Sequence, residues 1–208
     1  MRTFSHPGYK RFLLSVGCLL SIHFTALFFL TLFRLVFFFS ANYDFPDQEH
    51  VGFMSIWPAF IRGVWFDNVI ACYILLIPLV AVSISALFNY YGKILWNVTC
   101  IFFSLFYGIV LLVTAANIPY FQYFFKIINS SVFNWFGYMN TTAGMVFGET
   151  SYYPPLIGFL LTLVLFIWLM RRLIRHFQRL LNTKNPSVFW LDRIYIFLTA
   201  CICIGLCL

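Results

Sequence analysis

Five apolar segments in this sequence are long enough, or nearly long enough, to cross a lipid bilayer, and they constrain the fold more than any other feature. A membrane-spanning helix needs about 20 predominantly apolar residues. The segments lie at residues 12–39, 69–88, 94–116, 156–170 and 188–208. An α-helix satisfies its backbone hydrogen bonds within the segment, as the lipid interior requires. We therefore predict an all-α polytopic membrane bundle with five transmembrane helices and interfacial helices on the outer side.

Composition supports this fold class and excludes several others. Hydrophobic residues make up 62% of the 208-residue chain, against about 45–50% in soluble globular proteins. Charged residues make up 9%, against about 25%, and the mean hydropathy is +0.91. These values exclude a soluble globular enzyme, a disordered chain and a disulfide scaffold. The whole of residues 1–208 is predicted to form a single transmembrane domain.

The positive charge follows the ends of the apolar segments. The net charge of +7 first suggests a nucleic-acid partner, but no soluble basic face exists to bind one. The N-terminal tail carries Arg2, Lys10 and Arg11, the short second connection carries Lys93, and most other basic residues follow residue 170. Lys and Arg concentrate in cytoplasmic loops. We therefore predict a multi-pass membrane protein with a cytoplasmic N-terminus, an extracytoplasmic C-terminus and no nucleic-acid partner.

A basic stretch follows the fourth apolar segment. Its arginines have the i, i+3 and i+4 spacing of one helical face, and apolar residues separate them. The arginines are Arg171, Arg172, Arg175 and Arg179. Each basic residue near an anionic membrane surface contributes about 1 kcal/mol of attraction. We predict a basic amphipathic helix on the inner leaflet, with anionic lipids as its partners.

Two long connections are predicted on the outer side, at residues 40–68 and 117–153. The first becomes amphipathic from Phe53 onwards and indicates a short interfacial helix that leads into the second span. The second is too aromatic for a water-exposed loop and indicates one or two interfacial helices. The aromatic residues of this surface include Trp57, Trp65, Tyr120, Tyr123 and Trp135. They form either a structural aromatic belt or a platform that holds a lipid substrate or docks an outer domain.

Few polar side chains lie within or beside the spans. Arg34, near the outer end of the first span, either extends to the interface or turns inward to pair with Asp67 or an anionic lipid headgroup. Arg62 and Asp67 flank the start of the second span. These three residues are the candidate lipid-headgroup or structural ion-pair site. His23, in the middle of the first span, is predicted to be a hydrogen-bonded interior residue.

Catalytic and metal-binding patterns are absent from the sequence. It contains no phosphate-binding glycine loop, no nucleophile elbow and no metal-ligand cluster. The six cysteines lie in apolar runs without a CxxC pair and are predicted to be inert buried thiols. The spans also lack the polar, Gly-broken or Pro-broken midplane that a transporter is expected to show. No catalytic residue, metal site or cofactor is predicted in this chain.

Three short stretches carry a resemblance to a known family. They are Leu32-Phe33-Arg34, the Arg62-Gly63-Val64-Trp65-Phe66-Asp67 start of the second span, and residues 117–124 after the third span. With five spans, the whole chain resembles the N-terminal membrane domain of bacterial lipoteichoic-acid-synthase-like phosphoglycerol transferases, which belong to the alkaline phosphatase/sulfatase superfamily. The arginine-to-aspartate stretch is the most specific of the three, although it is short.

The resemblance implies a function for the chain and a further domain beyond it. In that family, five helices precede an extracytoplasmic catalytic domain with a Thr or Ser nucleophile and a divalent metal such as Mn or Mg. Since none of that domain lies in this sequence, we expect the chain to be the front part of a longer transferase or hydrolase. Its expected role is to anchor the enzyme in the bacterial plasma membrane and present a lipid to it. The transferred group would be phosphoglycerol or phosphoethanolamine, or the enzyme would be sulfatase-like.

Two other interpretations stay open. The chain could be a self-contained small multi-pass membrane protein, either a carrier or an assembly factor, which requires the fifth helix to be complete at Leu208. A carrier would also need a water-accessible cavity at the midplane. A sensor domain is the weakest alternative, because the sequence carries no cytoplasmic output domain.

Overall fold

The structure is a computed structural model that describes residues 7–43, 53–129, 144, 148, 152–181 and 190–207. Within these ranges the regular structure is helical and no strand occurs. Five helices are long and apolar enough to cross a membrane. The predicted fold class, an all-α multi-pass bundle, is confirmed.

The helices extend beyond the predicted apolar segments. They are α1 (Pro7–Tyr43), α2 (Phe53–Leu87), α3 (Lys93–Phe124), α4 (Tyr153–Leu181) and α5 (Trp190–Cys207). At about 1.5 Å per residue, the 37 residues of α1 reach about 55 Å, well beyond the hydrocarbon thickness of about 30 Å. Interfacial and polar residues thus continue the helices past the apolar segments that identified them.

Two stretches predicted as surface helices are direct continuations of spans. The amphipathic stretch that begins at Phe53 runs without a break into α2, and the basic arginine stretch is the last part of α4. No Gly or Pro separates either stretch from its span near residues 67–69 or 170–171, so the backbone hydrogen bonds continue. Of the connection 117–153, in which one or two interfacial helices are predicted, residues 117–124 continue α3, and most of residues 130–151 lie outside the described part of the chain.

The chain divides into two compact units, each assembled from separated segments. The first unit contains Met1–Leu27, Phe66–Tyr107 and Phe166–Leu208. The second unit contains Phe28–Trp65 and Gly108–Leu165. Helices α1, α2, α3 and α4 each contribute to both units, whereas α5 belongs to the first.

An aromatic cluster forms the core of the first unit. Phe103 and Tyr107, one turn apart on α3, stack with ring centroids 5.5 Å apart. Tyr107 meets Phe166 of α4 edge to face at 5.6 Å, and its hydroxyl donates to the carbonyl of Ala71 in α2 at 3.4 Å. Phe103 and Phe166 are fully buried. Aromatic pairs of this geometry add about 0.5–1.5 kcal/mol beyond area burial, so this cluster joins three helices.

Helix ends in the first unit are capped by specific side chains and turns. Asn89 has a positive φ of 55°; its N–H donates to Ala86, and the N–H of Tyr90 donates to Ser85. This pair of bonds is a Schellman motif, in which Asn is one of the few residues that tolerate the left-handed conformation. Asp192 lies in the first turn of α5, where a negative charge interacts favourably with the positive end of the helix dipole.

Several serine and threonine hydroxyls within the spans find hydrogen-bond acceptors in their own helix. Ser and Thr side chains donate to the carbonyl four residues earlier in their own helix, as at Ser21, Thr25, Ser83, Ser104 and Thr114. By contrast, His23 Nε2 donates to Oδ1 of Asn68 in α2 at 3.2 Å. This bond confirms the prediction that His23 is a hydrogen-bonded interior residue.

The aromatic cluster generates a stability prediction. Phe166→Ala removes a ring with no solvent exposure and should lower the free energy of unfolding by about 3 kcal/mol, because the resulting cavity loses its packing contacts. Phe24→Ala is the matched control, because Phe24 is 65% exposed and should lose under about 1 kcal/mol. Denaturant titration in detergent micelles measures both. Equal losses in the two variants would contradict the assigned core.

Candidate functional site

The second unit contains a cavity of about 410 Å³ between three helices. We call it the lateral groove. Its lining comes from α1 (Leu32, Phe33, Val36, Ser40), α3 (Ile118, Gln122) and α4 (Pro154, Pro155, Gly158, Thr162). The α1 residues recur at helical spacing, so one face of α1 forms a wall of the groove. The groove was not predicted from the sequence.

The lateral groove opens to the outside of the bundle. Leu32 and Val36 line it and are 44% and 48% exposed. Gly158 contributes no side chain, and no atom lies within 4 Å of the place where its Cβ would be. In a membrane, the outward faces of these helices contact lipid hydrocarbon. The groove is therefore accessible to an acyl chain from the side.

One end of the groove is polar. Gln122 Nε2 donates to Ser40 Oγ at 2.9 Å. Both residues lie within the last turns of their helices, whereas the apolar residues Leu32 and Phe33 lie two turns earlier on α1. The groove is thus amphipathic along α1, as a phospholipid is along its length.

Arg34 packs against α2 within the same unit. A Cβ atom at Gly63 would lie 2.8 Å from Nε of Arg34 and closer still to its other guanidinium atoms. The guanidinium therefore occupies space that only a glycine leaves free. Gly63 is buried, Arg34 is partly exposed, and the preceding Arg62 is exposed. The glycine of the Arg62-Gly63 sequence thus has a packing reason.

The remaining predicted site residues fall in different environments. Asp67 is buried and belongs to the first unit, so its pairing with Arg34 stays a prediction. Trp57 and Trp65 are 49% and 63% exposed, and contact of their rings with lipid headgroups stays a prediction. Tyr120 is half-buried, with its ring 4.7 Å from that of Phe124. The side chain of Tyr123 and the whole of Trp135 lie outside the described part of the structure.

The basic stretch of α4 is fully accessible. Arg171, Arg172, Arg175 and Arg179 are all exposed, and Arg172 lies over the ring of Trp168 at 5.3 Å. An exposed guanidinium on an aromatic face suits the membrane interface. Binding of anionic lipids at these arginines stays a prediction. No cluster of His, Cys or acidic residues able to hold a metal ion occurs among the described residues.

One sequence signal could have located the groove. Gly158 and Thr162 lie four residues apart on α4 and share a face, and small residues in membrane helices mark close approach to a neighbour or a ligand. Neither residue stands out by charge, and the partner residues on α1 and α3 are distant in sequence. Their juxtaposition needs the tertiary structure.

Comparisons with known proteins find no match for the chain. No protein-family model, no curated protein and no solved structure matches it. The resemblance to lipoteichoic-acid-synthase-like enzymes therefore rests on the residues quoted for it, and the activity it implies is a proposal.

The contact between Arg34 and Gly63 predicts that a glycine-to-alanine substitution at residue 63 loses part or all of its usual benefit. Alanine in a helix interior is normally favoured over glycine by about 0.5–1 kcal/mol. Gly63→Ala should stabilise the protein by at least about 0.5 kcal/mol less than this, because its Cβ displaces the Arg34 guanidinium, the flexible end of a partly exposed side chain. In an Arg34→Ala background the same substitution should stabilise. A double-mutant cycle in detergent micelles measures the coupling.

The control for this cycle is Gly158→Ala, since Gly158 lies in the same unit with open space at its Cβ position. It should stabilise the protein in both backgrounds. If Gly63→Ala stabilises equally with and without Arg34, the packing described for Arg34 is wrong.

Proposed function

We propose that this chain is the membrane-anchoring and lipid-presenting domain of a bacterial cell-envelope enzyme that transfers phosphoglycerol or phosphoethanolamine, or is sulfatase-like. The observation that carries the proposal is the lateral groove, an amphipathic cavity that opens to the side of the bundle. An enzyme that takes its donor from a membrane needs such a cavity, because the donor's acyl chains stay in lipid.

The size and lining of the groove suit part of a lipid. Its volume of about 410 Å³ falls within the range of about 300–1,000 Å³ that is usual for small-molecule sites. Transfer of an acyl chain from bilayer to groove exchanges one apolar environment for another, so it gains only packing contacts. Binding through the chain alone is therefore weak, which suits a substrate that enters and a product that leaves.

Polar groups of the second unit would provide headgroup selectivity. Ser40 and Gln122 offer a hydroxyl and an amide at the polar end of the groove, and both can donate to phosphate or glycerol oxygens. Arg34 and Arg62 belong to the same unit and provide positive charge for a phosphodiester. Under this proposal the exposed Trp57 and Trp65 fix the unit at the headgroup level.

The chemistry of transfer belongs to another domain under this proposal. The resemblance implies that the nucleophile and a divalent metal lie in an extracytoplasmic catalytic domain, which would be the chain's principal partner. The distribution of basic residues supports a cytoplasmic N-terminus in the bacterial plasma membrane. This chain would then hold the lipid while the catalytic domain acts on its headgroup.

A groove-filling variant tests the lipid site. Thr162→Phe places a ring in the groove and should reduce labelling of groove peptides by a photoactivatable phosphatidylglycerol, with the reactive group on its acyl chain, about fivefold or more. Val164→Phe is the matched control, because Val164 is 68% exposed and does not line the groove. Mass spectrometry of the cross-linked protein in nanodiscs locates the label. Equal labelling of both variants and wild type would contradict the lipid site.

The size of the native polypeptide tests the anchoring role separately. An antibody against residues 1–10 should detect a band at roughly twice the 24.4 kDa calculated for this chain or more, because a catalytic domain would follow. Immunoblotting of the native membrane fraction measures this directly. A band near the calculated mass would contradict the anchoring role and favour a self-contained carrier or assembly factor.

A further inference from the structure

The first unit contains a second cavity, of about 310 Å³, with different chemistry. It lies where α2 ends and α3 begins, against the N-terminal part of α1 and the last turn of α4. We call it the basic pocket. The residues that matter for its chemistry are Arg11, Tyr91, Lys93, Trp96 and Gln178. Gln178 lies within the arginine stretch of α4, but the four arginines of that stretch do not line the basic pocket, and none of the pocket residues lines the lateral groove.

Two buried donors in the basic pocket have no hydrogen-bond partner within the described structure. Trp96 is 1% exposed, and its Nε1–H makes no hydrogen bond. The hydroxyl of Tyr91 is also buried without a partner. Buried polar groups in native proteins are nearly always paired. Two unpaired donors that line one cavity therefore point to an acceptor that occupies it.

The electrostatics of the pocket favour an anion. Arg11 and Lys93 provide two cationic side chains, and no carboxylate is present among the lining residues. The N-terminus of the 32-residue helix α3 also borders the pocket, and its first turn contains no acidic residue. The free N–H groups and dipole of a helix N-terminus attract negative charge. Charge and hydrogen-bond donors thus point to the same class of ligand.

Arg11 is held in place before any ligand binds. Its Nη2 donates to the carbonyl of Leu181 at the end of α4, at 2.7 Å, and its guanidinium carbon lies 5.8 Å from the ring centroid of Tyr91. The side chain is 8% exposed. A buried cation in a fixed geometry loses little entropy when it binds an anion.

Tyr91 is protonated and able to donate. Burial raises the pKa of Tyr91 to about 12, even though the neighbouring Arg11 cation lowers it. The phenol therefore keeps its proton at neutral pH and presents an O–H group to the pocket. Tyr91 and Trp96 are both rigid aromatic donors, so their positions are fixed by packing.

We infer that the basic pocket binds a phosphate group through Arg11, Lys93, the Trp96 indole N–H, the Tyr91 hydroxyl and the N-terminus of α3. A phosphate has oxygens on several sides and can accept from donors that converge from α1, the α2–α3 turn and α3. The volume lies near the lower end of the range for ligand sites, so it fits a headgroup-sized molecule. The phosphate could belong to an anionic lipid or to a soluble molecule.

The test measures binding of short-chain phosphatidylglycerol, and separately of inorganic phosphate, to the purified full chain in detergent. Trp96→Phe keeps an aromatic ring and removes the N–H together with the pyrrole part of the indole, so phosphatidylglycerol binding should weaken about tenfold, as expected when one hydrogen bond to a charged acceptor is lost. Trp190→Phe, at a site that is 75% exposed, should have no effect. Diacylglycerol, which lacks phosphate, should bind equally to the wild-type chain and to both variants.

A second pair of variants keeps the test decisive if Trp96→Phe impairs folding. Lys93 and Lys10 are both exposed, but only Lys93 lines the pocket. Lys93→Gln should weaken phosphatidylglycerol binding several-fold, whereas Lys10→Gln, which removes the same charge, should not. This comparison separates a specific site from general attraction to anionic lipid.

The two ligands distinguish the source of the phosphate. A soluble phosphate ligand would be supported if millimolar inorganic phosphate displaces phosphatidylglycerol and if the same variants weaken the binding of inorganic phosphate. Binding of phosphatidylglycerol that free phosphate does not displace would support a lipid headgroup. The inference would be overturned if neither probe binds. It would also be overturned if both probes bind and neither Trp96→Phe nor Lys93→Gln changes their binding.

Discussion

The structure depends on one constraint: in lipid, backbone polar groups must be satisfied within the protein itself. Five long helices meet this requirement along their length, and serine and threonine hydroxyls within them bond to their own helix. Helix ends need further partners, since their terminal groups have none within the helix. The Schellman turn at Asn89 and the Arg11 cap on Leu181 supply them. Residues of both caps also line the basic pocket. The groups that satisfy these helix ends therefore also border the proposed phosphate site.

Within this frame, packing alone distinguishes the inside of a unit from its surface. Lipid tails are as apolar as a protein core, so burial of a Phe side chain gains dispersion contacts and little hydrophobic free energy. The first unit uses stacked and edge-to-face rings around Tyr107, and the second fits the Arg34 guanidinium onto Gly63. Where small residues such as Gly158 leave the packing incomplete, the lateral groove remains.

The two cavities differ in the kind of interaction that their lining residues leave unsatisfied. The lateral groove has an apolar wall and a single hydrogen-bonded pair, Ser40 and Gln122, so it lacks only the packing that an acyl chain would supply. The basic pocket has two buried donors without acceptors, at Tyr91 and Trp96. An unsatisfied buried polar group costs about 1–3 kcal/mol. A phosphate in this pocket would therefore stabilise the first unit as well as bind to it.

The sequence by itself determined the five spans and the interior role of His23, because segment length and local composition can be read from the sequence alone. It did not determine which face of each helix is packed. Phe166 is fully buried and Phe24 is 65% exposed, although both lie in equally apolar stretches, since lipid and protein interior select the same side chains. Only the tertiary structure joined Arg11 to Leu181, placed Arg34 over Gly63, and brought Ser40 and Gln122 together. These pairs come from different helices, and no local pattern encodes their contact.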